Sequence, residues 1–163
     1  MQFELGNASE SCPLCPAEPA VFETALIATQ DRVRTTTLAL RARLDQLGVS
    51  PSVLGNVELA AAEALNNIAE HAYSGTPPGP IRVSAYFERS HLLLRIVDAG
   101  HPLPDATLPS VRLPDPSGPL ADLPEGGFGW YLITQLSDAV RYERCRDLNI
   151  LDIWFSCDLC DSG

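Results

Sequence analysis

Seven prolines fall between His101 and Pro124, a stretch of 24 residues. Proline fixes φ and removes a backbone donor, so neither a helix nor a paired strand survives that density. The chain must therefore fold around a long loop, with regular structure confined to either side. Loops of this length inside a compact domain tend to be lids or binding loops. With 163 residues in total, one domain with a core of its own is expected, not two. Three further prolines fall in residues 1–19, which read as an extension outside the core. We place the folded domain at 20–157 and a short tail at 158–163.

Before the loop, residues 20–28 are rich in β-branched and aromatic side chains and predict a strand. Asp31 is expected to cap a helix carrying Val33, Thr37, Leu40, Leu44 and Leu47 inward, ended by Gly48. Ser50-Pro51 opens a second, alanine-rich helix over about 52–73. Residues 81–88 and 91–98 predict a hairpin turning at Arg89-Ser90. After the loop, Gly126-Gly127-Phe128-Gly129 leads into a short helix over 130–137. A second hairpin follows, 139–144 and 150–155, around Asp147-Leu148-Asn149. This order predicts an α/β fold, a two-layer sandwich with a mostly antiparallel sheet.

Three elements carry chemistry. Glu63, Asn67 and His71 recur every fourth residue, each about 40° round the helix from the last, as a short polar stripe on an otherwise apolar helix. A carboxylate one turn from a carboxamide can hold a divalent cation or position a hydroxyl, although a solvated face has the same pattern. Asp98-Ala99-Gly100 ends an apolar strand, where a carboxylate can accept from an exocyclic amine and glycine admits a ligand close to the backbone. Gly126-Gly127-Phe128-Gly129 opens a helix, offering backbone N–H groups to phosphate, or merely a hinge.

In this order, Glu63 to Tyr73, then Asp98-Ala99-Gly100, then Gly127 to Ile133, the motifs resemble the GHKL ATPase superfamily. Within it the chain is most similar to the anti-sigma factor serine kinases of bacterial partner switching. The resemblance implies ATP and Mg²⁺ as ligands, with Glu63 as general base and Asn67 on Mg²⁺. It implies that Asp98 reads the adenine amine, Gly100 shapes that pocket, and Gly126, Gly127, Phe128 and Gly129 lie under the phosphates. His71 is expected at the site's edge, and the proline-rich stretch stands where the family has its ATP lid. Its partners would be a sigma factor and an anti-anti-sigma antagonist, with the protein itself a homodimer. The lid holds one basic residue, Arg112, which keeps a nucleotide-dependent binding module without catalysis as the alternative.

The charge balance, 11 Lys plus Arg against 21 Asp plus Glu, repels phosphate backbones and anionic membranes. No segment approaches the roughly 18 apolar residues of a membrane span, and residues 1–5 lack a secretory start. A cytoplasmic protein with reduced thiols is the expectation. Cys12-Pro-Leu-Cys15 and Cys157-Asp-Leu-Cys160 then stand out as two C-x-x-C pairs at opposite ends of the chain. Four thiolates suit a tetrahedral Zn²⁺ site, with a redox pair or unconnected thiols as alternatives. Cys145 is expected to be a small core residue.

Overall fold

The computed structural model describes residues 16, 18–110 and 128–157. Five strands form one antiparallel sheet: β1 (Phe22–Ile27), β2 (Pro80–Glu88), β3 (His91–Asp98), β4 (Ala139–Cys145) and β5 (Leu148–Ser156). Their spatial order is β1-β2-β3-β5-β4, so the two hairpins lie side by side, joined through β3 and β5, and β3 occupies the centre. Helices α1 (Gln30–Gln46), α2 (Pro51–Asn67) and α3 (Phe128–Leu136) complete the two-layer α/β sandwich.

Strand alternation selects the face on which the helices pack. In register, Ile81, Val83 and Ala85 of β2 stand opposite Asp98, Ile96 and Leu94 of β3, which stand opposite Asn149, Leu151 and Ile153 of β5. The apolar members of these rows are buried in one core cluster with Leu40 and Leu44 of α1 and Leu54, Val57 and Leu65 of α2. Burying a side chain of this size stabilises the fold by about 1.5–3 kcal/mol. Ala60, Ala61 and Ala64 are essentially inaccessible, and their small volume lets α2 pack between α1 and α3. Asp98 and Asn149 are the polar pair at one end of the same face, and that end holds the site.

Several boundaries differ from expectation. Thr29, in extended conformation, precedes α1, so Asp31 lies within the first turn, where a carboxylate complements the helix dipole. Leu47 is the C-terminal cap of α1 and is only half-buried. The second helix is α-helical only to Asn67 and continues as a π-helical turn over Ile68–Ala72. Phe128 and Gly129 are the first residues of α3, not part of the turn before it. The second hairpin turns at Arg146-Asp147, with Arg146 at φ +55°, so Leu148 and Asn149 are strand residues. Cys145 ends β4 half-buried on the face away from the helices, because it shares the parity of Arg141 and Glu143. It is not a core residue.

On that second face Asp152 is 1% exposed and accepts from two arginines. Arg95 binds it with two bonds of 2.7 and 2.8 Å, and Arg141 donates a third at 2.9 Å. Arg141 also lies over the Trp154 ring, 5.3 Å from its centroid. Charge-assisted bonds of this kind across β3, β5 and β4 fix the relative register of the three strands. Among the described residues, no helix is long and apolar enough to cross a membrane.

Candidate functional site

The end of α2, the end of β3, the start of α3 and the start of β5 surround a cavity of about 520 Å³. Asn67, His71, Asp98, Leu103, Trp130 and Asn149 contribute to its wall. Its size and largely apolar wall with a few convergent polar groups are typical of a small-molecule site.

Asp98 is 4% exposed at the last position of β3. Its Oδ1 accepts from the Gly100 backbone N–H and from Asn149 Nδ2, both at 2.8 Å. Oδ2 has no hydrogen-bond partner among the described residues, so one carboxylate oxygen is held and the other is left for a ligand's donor. Burial raises the Asp98 carboxyl above its ordinary value, opposed by the bonds from Asn149 and Gly100 and by the charge of Arg144. The groups that orient the carboxyl thus also favour its charged form, against the larger effect of burial.

Asn149 organises this corner. Besides Asp98, its amide donates to the carbonyls of Gly100 and His101, each at 3.2 Å. Its Oδ1 accepts from Tyr142 at 2.6 Å and Arg144 at 2.7 Å. Tyr142 in turn accepts from the Leu103 N–H, and Arg144 donates to the Gly100 carbonyl. Residues 98–103 are thus pinned to β4 and β5 by side chains. Sequence reasoning placed Asn149 in a turn and missed it. The available signal was an amide sharing the parity of Leu151, Ile153 and Phe155, all of which face the core.

Tyr73 braces the other side, donating to the Pro80 carbonyl and accepting from Ala99 N–H. Gly100 explains the glycine after Asp98. A Cβ there would lie 2.5 Å from the Ala72 carbonyl oxygen, and the adjacent His101 N–H donates to that same oxygen at 2.7 Å. The π-helical turn ends at this contact, so an otherwise unpaired helix-end carbonyl is satisfied by the site loop.

Glu63, Asn67 and Gly129 meet beside the part of the cavity wall that Asn67 and Trp130 form. A Cβ on Gly129 would stand 2.8 Å from Glu63 Oε2 and 3.5 Å from Asn67 Nδ2, so the first turn of α3 lies directly against both. Asn67 Nδ2 is buried and has no hydrogen-bond partner among the described residues. An orphaned carboxamide beside a carboxylate and a helix N-terminus suits a bound polar group, and its oxygen is of the kind that divalent cations take. His71 borders the cavity with its side chain 66% exposed, 4.0 Å from Glu70. Phe128 is 60% exposed. Gly126, Gly127 and Arg112 lie outside the described residues, as do Cys12, Cys15 and Cys160. Among the described residues no group of His, Cys, Asp and Glu is arranged to hold a metal ion.

Residues 26–155 match the histidine kinase-like ATPase domain. Two curated relatives are serine-protein kinases RsbW. That of Halalkalibacterium halodurans is 29% identical over 125 residues, covering 76% of each chain. That of Oceanobacillus iheyensis is 28% identical over 121 residues, covering 74% of this chain and 77% of the relative. Among solved structures, the RsbU and RsbW domains of a Mycobacterium tuberculosis protein align with a TM-score of 0.60 at 18% identity, over 83% of this chain and 31% of that one. The SiaB-SiaC complex from Pseudomonas aeruginosa aligns at 0.55 and 16% identity, over 83% of this chain and 89% of that one, a likeness of fold. With the family match spanning most of the chain, and with RsbW kinases as its curated relatives, the protein belongs to the histidine kinase-like ATPases of the anti-sigma kinase type.

Proposed function

We propose that the protein binds ATP in this cavity and transfers the γ-phosphoryl group to a serine of an antagonist protein in a partner-switching circuit. The observation that carries this reading is the two-ended cavity. Asp98 stands in one part of its wall with Oδ2 left for a donor, and Asn67 stands in another, packed with Glu63 against Gly129.

The adenine amine would donate to Asp98 Oδ2, while Gly100 keeps the loop against α2. Phosphates would lie at the N-terminus of α3, where backbone N–H groups and the helix dipole favour anions. Asn67 would hold Mg²⁺, which neutralises phosphate charge when bound. Glu63 lies within contact of the same turn and would accept the proton of the attacking serine hydroxyl. Phosphoryl transfer needs little beyond such positioning and charge stabilisation. The names of the RsbW relatives support the serine as acceptor. By the same resemblance, the regulated target is a sigma factor, the working form a homodimer, and the compartment the cytoplasm.

The test is incubation of the protein with labelled ATP, Mg²⁺ and the antagonist encoded beside it, in wild type and Glu63→Gln. Transfer is expected in wild type only, with nucleotide binding retained in both, because a carboxamide cannot take the proton. Binding without transfer in wild type would leave a nucleotide-dependent binding module instead.

A further inference from the structure

The polar corner of the cavity lies along one row of the sheet. Asp98 on β3 stands opposite Asn149 on β5, and Asn149 stands opposite Arg144 on β4. Neighbouring strands lie about 4.8 Å apart, so side chains on one face of such a row each reach the next. The three differ in what they can do. Arg144 only donates, an ionised Asp98 only accepts, and the Asn149 carboxamide donates at its nitrogen and accepts at its oxygen.

Arg144 Nη1 donates to Asn149 Oδ1 at 2.7 Å and to the Gly100 carbonyl at 2.9 Å. With Oδ1 turned to the guanidinium, Nδ2 faces Asp98 Oδ1 at 2.8 Å. The other neighbours hold this direction less firmly. Tyr142 accepts from the Leu103 N–H and donates to Asn149 Oδ1, but a phenol can equally accept from an amide. The Gly100 and His101 carbonyls lie 3.2 Å from Nδ2, at the long limit of such bonds. Arg144 itself is half-buried and stands behind the cavity wall to which Asp98 and Asn149 belong.

We propose, on the reading of Asp98 as the adenine partner, that Arg144 is a positioning residue for base recognition. As an obligate donor it sets the direction of the hydrogen-bond chain from Arg144 through Asn149 to Asp98. Asp98 Oδ2 is thereby left as an acceptor, which takes an exocyclic amine and repels a carbonyl at the same place. An acceptor in place of Arg144 turns the Asn149 oxygen toward Asp98, and two facing oxygens make a bond only when Asp98 carries a proton. A neutral carboxyl then holds the ligand's amine more weakly, because charge-assisted bonds are about twice as strong as neutral ones. The guanidinium charge acts in the same sense, opposing the effect of burial on the Asp98 carboxyl. Tyr73 on the π-helical turn and His71 and His101 in the cavity wall are the other titratable groups on this side, and they are common to every variant below.

The experiment uses the full chain as wild type, Arg144→Lys, Arg144→Gln and Arg144→Glu. Without nucleotide, the Asp98 carboxyl carbon is titrated by NMR. Arg144→Lys should titrate close to wild type. Arg144→Gln, which keeps a donor but not the charge, should titrate at higher pH, and Arg144→Glu at higher pH still. With nucleotide, calorimetric titration compares ATP with ITP, which carries a carbonyl where ATP carries the amine. Wild type and Arg144→Lys should prefer ATP by roughly tenfold or more. Arg144→Glu should lose most of that preference at a pH where wild type retains it. A merely structural role lowers both affinities together and leaves their ratio and the Asp98 titration unmoved, and that result overturns the proposal. If Arg144→Glu does not fold, Arg144→Gln and Arg144→Lys carry the same two readouts. Wild type that binds neither nucleotide refutes the adenine reading and this role with it. Wild type that prefers ATP, beside variants that match it, refutes the role of Arg144 alone.

Discussion

Replacing Asn149 by alanine tests the organisation of the proposed adenine end most directly. The substitution removes the Nδ2 bond to Asp98 Oδ1, the two weaker bonds to the Gly100 and His101 carbonyls, and the acceptor shared by Tyr142 and Arg144. The bond to the buried carboxylate dominates, because hydrogen bonds to charged groups contribute about 1.5–3 kcal/mol. Tyr142 and Arg144 are only half-buried and recover much of their loss from water. A total near 3 kcal/mol lowers the melting temperature of a chain this size by roughly 6–12 °C. The same loss acts on ligand binding. Asn149 opposes the upward shift of the Asp98 carboxyl, so without it that carboxyl is protonated at still higher pH. Differential scanning with and without ATP–Mg²⁺, from about pH 4 upward, reads both effects. The variant should melt early, and its nucleotide-induced shift should fail at higher pH than in wild type. Melting within about 2 °C of wild type, with a superimposable pH profile, would refute the reasoning.

Three further outcomes are expected. Asp98→Asn should abolish the nucleotide-induced shift, since the amide oxygen stays on Gly100 and Asn149 and its NH₂ then opposes the adenine amine, which calorimetric titration would read as lost affinity. In wild type the raised Asp98 value gives opposite signs in the two states. The free protein gains stability from this group below its ordinary value of 3.8 and loses it as pH rises through the folded value, whereas nucleotide affinity falls as pH drops through that folded value, both read by thermal scans in matched buffers. Gly100→Ala, with its Cβ 2.5 Å from the Ala72 carbonyl, should cost about 1–3 kcal/mol by chemical denaturation and weaken ATP binding.

The hairpin of β2 and β3 was legible to within one residue, because Asp98-Ala99-Gly100 and Arg89-Ser90 bound two runs of strong strand formers. The glutamate and asparagine of α2 were legible as a stripe, since an alanine-rich helix makes short polar residues conspicuous. What supports them was not. Asn149 and its partner Asp98 are 51 residues apart, and Asp147-Leu148-Asn149 reads as turn chemistry, so the parity that Asn149 shares with Leu151, Ile153 and Phe155 went unread. The π-helical turn depends on His101 reaching Ala72, a tertiary contact with no local signal. Asp31 looked like a cap because caps and first turns favour the same residue type.

One continuous run of helix links Glu63 to the loop beside Asp98. Glu63 and Asn67 lie on the α-helical part of α2, and Ala72, nine residues beyond Glu63, receives the loop that positions Asp98. At 1.5 Å per residue the α-helical part from Glu63 to Asn67 rises about 6 Å, and the π-helical turn carries the chain on to Ala72. The helix therefore acts as a ruler. On the proposed reading, a nucleotide shortened by one phosphate would still meet Asp98 at its base but fall short at Glu63, so the two ends of the ligand would be gauged against each other by length as well as by chemistry.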